Sequence, residues 1–126
     1  MRKQVGSGSS WEDIVGYSRA VRVGNHIEVA GTTAMDGNVV VGKNDVAAQT
    51  KFILQKIEKA LQQLDSSLND VVRTRMFVTD ISKWEEIGKV HGDFFKNIKP
   101  VATMVEVAQL IDKDLLIEIE AIAIVQ

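Results

Sequence analysis

Glu118 and Glu120 stand two residues apart in Leu115–Val125, where they are the only polar side chains. Carboxyl groups held among apolar neighbours keep their protons to higher pH than free ones, and a group poised in that way can give and take protons in a general acid–base step. The pair could equally be structural, as an ion pair or a hydrogen-bonded interface acid, and the spacing favours neither. Arg19 and Arg75 fall in predicted strands and could grip an anionic ligand. Pairing with Glu106, Glu118 or Glu120 in neighbouring strands or subunits is the commoner fate of such charge. Tyr17 is the single tyrosine. His26 follows a turn and His91 falls on the apolar side of a helical segment, with no third ligand at recognisable spacing, so no metal site is expected. There is no cysteine, which removes disulfides, thiolate ligands and thiol nucleophiles.

The elements that must position these residues follow from periodicity. Alternating runs at 18–23 and 26–30 flank Gly24-Asn25 and predict a β-hairpin. Val39-Val40-Val41, after the turn at 35–38, predicts a brief third strand. Val46, Thr50, Ile53, Ile57, Ala60 and Leu64 recur at helical spacing, with Asn44 or Asp45 as N-cap and Asp65-Ser66-Ser67 as the stop. A strand over 71–79 follows, with Val72, Thr74, Met76 and Val78 on one side. Ser82 and Glu85 have capping-box spacing, ahead of a helix whose apolar side carries Trp84, Ile87, His91, Phe94 and Phe95. Gly88 and Gly92 leave a bare strip on that helix, at about 1 kcal/mol each relative to alanine. Close packing against the sheet is favoured as its reason over room for a ligand. Trp11 and Trp84 read as packing residues. Pro100 ends the helix, and strands follow over 101–108 and 115–125.

This order predicts an α+β fold with a mixed, mostly antiparallel sheet of about six strands and two helices on one face. The last strand is apolar on both faces apart from the two glutamates, so its second face asks for cover by another subunit, and a homo-oligomer is expected. At 126 residues without an internal linker, 1–126 is read as one domain, with 1–10 a loosely held start around Gly-Ser-Gly-Ser-Ser. No run approaches the roughly 20 apolar residues of a membrane span, and no signal-peptide core precedes the domain. A cytoplasmic protein without membrane partners is expected. Lys and Arg number 15 against 17 Asp and Glu, a formal charge of −2 that speaks against a general nucleic-acid binder.

Several segments are similar, in order, to one known family. Gly16-Tyr17-Ser18-Arg19-Ala20-Val21 with Ile27-Glu28-Val29-Ala30-Gly31 resembles the opening hairpin of the RidA/YjgF/L-PSP family. Ser67-Leu68-Asn69-Asp70-Val71-Val72 and Met76-Phe77-Val78-Thr79-Asp80 resemble its middle. Val105-Glu106-Val107-Ala108 and Ile117-Glu118-Ile119-Glu120-Ala121 resemble its closing strands. The resemblance implies a chorismate-mutase-like fold, a homotrimer with ligand clefts between subunits, and hydrolysis of 2-aminoacrylate and related enamines or imines without a metal or organic cofactor.

Carried over by position, Tyr17 matches the cleft tyrosine, Gly31 the cleft glycine and Glu118 the acid that positions water. The family's arginine, which grips the substrate carboxylate, falls where this chain has Ala102. Its cysteine two places on is Met104, and the helix asparagine that many relatives offer to the ligand is Gly88. An arginine–carboxylate contact contributes about 1.5–3 kcal/mol, so efficient 2-aminoacrylate deamination is not expected. Arg19 or Arg75 could serve as a replacement cation. The leading expectation is a small-metabolite protein of an arginine-lacking subgroup, either hydrolysing an imine, enamine or amide-like bond or acting as a non-catalytic binding or regulatory module. An RNA-directed activity, sometimes attributed to relatives, has little support from charge or histidine count.

Overall fold

The two alternating runs around Gly24 pair as their pattern requires. In the computed structural model, which describes residues 1–126, they form β2 (Ala20–Val23) and β3 (His26–Thr33), with Gly24 at φ 60° in the turn. The first residues depart from expectation: Arg2–Val5 is an ordered edge strand, β1, paired antiparallel with β2, and Ser10–Val15 is a short helix, α1. The brief strand expected at Val39–Val41 also differs. Val39–Val40 (β5) pairs only with Met35–Asp36 (β4), as a separate two-stranded hairpin. The main sheet therefore has the expected six strands, but its sixth member is β1.

Val46–Gln63 is α2, capped by Asp45, whose carboxylate accepts from the Ala48 N–H at 3.0 Å. Val71–Val78 is β6, Trp84–Phe95 is α3, Val101–Glu106 is β7 and Ile117–Ile124 is β8. The sheet order is β1-β2-β3-β8-β6-β7, antiparallel throughout except for the parallel pair β6–β7 that brackets α3. The capping box does not form. Asp80, the stronger acceptor, takes both the Ser82 N–H at 3.0 Å and its hydroxyl at 2.6 Å, closing a 3-10 turn over Ile81–Lys83, and α3 begins without a side-chain cap.

The core lies between one sheet face and the helices. Ile53, Leu54, Ile57 and Leu61 of α2 and Ile87 of α3 are fully buried against Ile117, Ile119, Ala121 and Ala123 of β8. Burying each large aliphatic side chain contributes about 1.5–3 kcal/mol. The inward row of β6 is Val71, Thr74, Met76 and Val78, because a bulge between Val71 and Arg73 turns Val72 outward, against the even alternation expected for it. Gln49, fully buried, donates to the carbonyls of Gly42 and Asp114 and accepts from the Leu116 N–H, so it fixes where β8 begins.

The opposite sheet face carries Val21, Phe77, Glu118, Glu120, Ile122 and Val105 in register, with no layer of this chain over it. Trp11 and Trp84, expected to pack, are 62% and 57% exposed within the chain. No helix is long and apolar enough to cross a membrane.

Candidate functional site

Helix α1 delivers the first site residues. Ser9 caps it by accepting from the Trp11 N–H, and Gly16, at φ 86°, ends it in the left-handed conformation that glycine adopts without strain. The chain then passes through Tyr17 to Arg19, whose backbone bridges the carbonyl of Val5 and the N–H of Ala30. The Arg19 guanidinium lies 5.5 Å from the centre of the Tyr17 ring, and its Nη1 donates to the Gly31 carbonyl at 3.1 Å. Glu12 of α1 sits 4.0 Å from Arg19 Nε. The Ser7 hydroxyl, aided by the Ser7 N–H and Arg19, holds the Glu12 carboxyl below its ordinary range. Glu12 was not singled out in the sequence, because its partner Ser7 lies in a stretch that reads as a loose start.

A bulge in β3 between Val29 and Thr32 brings Gly31 against Glu118 of β8. A Cβ at Gly31 would overlap Glu118 Oε2 and lie 2.9 Å from Cδ, so the carboxyl occupies the space that any other residue would fill. Burial pushes the Glu118 carboxyl above the ordinary 4.5; Glu120 raises it further, and Arg19 works in the opposite direction. Tyr17, Arg19, Gly31 and Glu118 therefore form one cluster. Arg75 is not part of it: directly across from Glu120, it binds that carboxylate through Nε at 2.8 Å. The pairing expected of such charge holds for Arg75 with Glu120, while Arg19 pairs with Glu12, an acid outside the expected set, and lies near enough to Glu118 to act on its carboxyl.

Gly31→Ala should separate the carboxyl's position from the fold. The obstructing atoms are the mobile end of Glu118, so stability should change by no more than about 1 kcal/mol. The displaced carboxyl should titrate closer to 4.5. Carboxyl NMR titration alongside a denaturant melt checks both; a large loss of stability with unchanged titration would contradict this placement.

Gly88, Ala102 and Met104 lie elsewhere. Ala102 and Met104 of β7 are in register with Thr74 and Met76, which face the helices, whereas Glu118 is in register with Phe77 on the other face. Within one chain the candidate residues thus fall on opposite sides of the sheet. Gly88 and Gly92 face open space, with nothing within 4 Å of a Cβ built at either, so close packing is not the reason for the bare strip on α3. The polar groups nearest in register to Ala102 are uncharged. Thr74, fully buried, shares a 2.9 Å hydrogen bond with His91 Nε2, and burial lowers the His91 pKa so that the imidazole stays neutral. The His91 ring packs 4.7 Å from that of Phe95. No three His, Asp or Glu side chains converge as metal ligands.

A family model described as Endoribonuclease L-PSP matches residues 8–125. Among solved structures, Rv2704 of Mycobacterium tuberculosis, a member of the YjgF/YER057c/UK114 family, is 53% identical with a TM-score of 0.91, over 99% of this chain and all of that one. The E. coli YjgF gene product is 28% identical with a TM-score of 0.80, over 98% and 93%. The 3-aminoacrylate deaminase RutC of Acinetobacter baylyi is 34% identical, over 85% of each chain. With the fold, the motifs and these matches in agreement, the chain belongs to the L-PSP family, within the RidA/YjgF superfamily that its sequence resembles.

Proposed function

We propose that this protein hydrolyses the C–N bond of a small imine or enamine, in a cleft completed by another copy of the chain, with Glu118 handling the proton. The observation that carries this reading is the Glu118 carboxyl, partly desolvated against Gly31 and beside Arg19. An enamine first takes a proton from solvent on carbon and becomes an iminium ion, the protonated form in which an imine also reacts. Water then adds to the C=N carbon while the π electron pair passes to nitrogen, and the resulting amino alcohol expels ammonia to leave a carbonyl. Ionised Glu118 accepts the proton that water releases as the C–O bond forms, and returns it to the departing nitrogen. Tyr17 walls the cleft and Gly31 contributes backbone. The kinship with a 3-aminoacrylate deaminase supports this class of reaction.

Two features support a shared cleft. Glu118 and Ala102 occupy opposite faces of one sheet, so a ligand that meets both positions needs the faces of two chains. The uncovered face also carries apolar residues, including Val105 and Ile124 at 42% and 43% exposure, that a second copy would bury. A homotrimer is expected, and light scattering should give three times the 13.9 kDa chain mass; a monomer would remove the shared cleft.

The substrate is expected to lack the carboxylate that the family's arginine would grip. The uncharged Thr74 and His91 beside Ala102 favour a neutral or weakly polar group there. They also favour the second reading, a binding module without chemistry. Ammonia release from a panel of imines and enamines, compared between the parent and Glu118→Gln, decides between them: an enzyme loses turnover, whereas a binding module shows none and changes only affinity.

A further inference from the structure

A cavity lies on the helix side of the sheet and borders the Glu118 cluster at Arg19. It measures about 620 Å³, within the range of small-molecule sites, between α2 and the strand ends around Val5, Thr32 and Asp36. Three cations line it, Arg19, Lys56 and Lys59, against the single carboxylate of Asp36. Neither lysine is in an ion pair. Lys56 is half-buried: its ammonium donates to the carbonyls of Met35 at 2.9 Å and Thr33 at 3.3 Å, which leaves a third N–H free, and it lies 5.8 Å from the centre of the Phe52 ring. Burial holds its pKa below the ordinary value; Arg19 adds to that effect and Asp36 opposes it.

An ammonium packed beside a second cation in a partly dry cavity is costly unless something negative offsets it. The two carbonyls provide only dipoles. Asp36 and, through Arg19, Glu12 offset part of the charge, but the lining keeps an excess of positive charge next to an aromatic wall. We propose that the cavity is a binding site for a small organic dianion of the phosphate monoester class, adjoining the Glu118 cleft at Arg19. The phosphate oxygens would meet Lys56 and Lys59, and the organic part would lie on Phe52. Arg19 belongs to both regions, since its charge acts on Lys56 and on Glu118.

The test is an amide NMR titration of the full chain with phenyl phosphate, inorganic phosphate and benzoate at constant ionic strength. Phenyl phosphate should give saturating shifts around Asp36, Phe52 and Lys56, with benzoate at least about tenfold weaker because it carries half the charge. Lys59→Gln, on the exposed side of α2, should weaken phenyl phosphate by about tenfold without disturbing the fold, and Lys56→Gln should weaken it further. Non-saturating shifts matching those of added potassium chloride overturn the proposal. So does affinity unchanged in Lys59→Gln, a result that stands even if Lys56→Gln fails to fold. Equal affinity for benzoate overturns the dianion assignment.

Discussion

Glu118→Gln should lower C–N bond hydrolysis by about 10²- to 10⁴-fold, the usual contribution of a positioned proton-transfer group, and at the same time make the protein more stable near neutral pH. The two effects have one cause. Burial and the neighbouring Glu120 raise the folded-state pKa of Glu118 above 4.5, so the folded chain holds a proton that the unfolded chain has already released. Stability from this group is fully present below 4.5 and is lost as pH rises through the folded-state value. A glutamine of the same shape has no charge to desolvate and avoids that loss. Melts of parent and variant should coincide at low pH and diverge as pH rises, with the variant higher. If the variant loses turnover but is also less stable at every pH, Glu118 is holding the structure together and the catalytic reading fails.

Opposite signs for activity and stability are what distinguish Glu118 from Glu120, and spacing alone could not separate them; only the family resemblance singled out Glu118. Both lie on the same side of one strand, in the same apolar surroundings. Their difference arises across the sheet, where register sets Arg75 opposite Glu120 and Phe77 opposite Glu118. One carboxylate gains an ion pair, and the other gains an aromatic neighbour and the bare backbone of Gly31. Register depends on pairing between residues more than 40 positions apart and on the bulges in β3 and β6, so periodicity within a strand carries no record of it.

Local pattern was legible where one segment sufficed. The α2 stripe, the Gly24 turn and the buried row of β8 follow from spacing, because each buries one face whatever its neighbours do. β1 was missed for the complementary reason: Arg2-Lys3-Gln4-Val5 has no apolar alternation, and it is a strand because the edge of β2 offers unpaired backbone. Val39–Val40 has strand-like residues but finds only β4 to pair with. Gly88 and Gly92 show the same limit, since sequence identifies the bare strip but not whether anything fills it. The family resemblance supplied Tyr17, Gly31 and Glu118 as one group, and the structure brings them together. It also supplied Ala102 and Met104, which one chain keeps on the far side of its sheet.

That separation makes Ala102→Arg the most informative gain-of-function change. Ala102 is exposed on the edge strand β7, and α3 leaves open space at Gly88, so a guanidinium should be accommodated without disturbing the core. The neighbouring polar groups will not capture it: His91 is neutral and bonded to Thr74, and Glu106, on the same side of β7, accepts from the Ile81 N–H at 3.0 Å. A bidentate arginine–carboxylate contact contributes about 1.5–3 kcal/mol. kcat/KM for ammonia release from 2-aminoacrylate should therefore rise by roughly ten- to a hundred-fold, with little change for substrates that lack a carboxylate. Ala102→Lys should recover only part of this, because an ammonium supplies charge without the planar fork. Equal gains from arginine and lysine would mean that general electrostatic attraction is at work. No gain from either would place the substrate's carboxylate, or the cleft itself, away from β7.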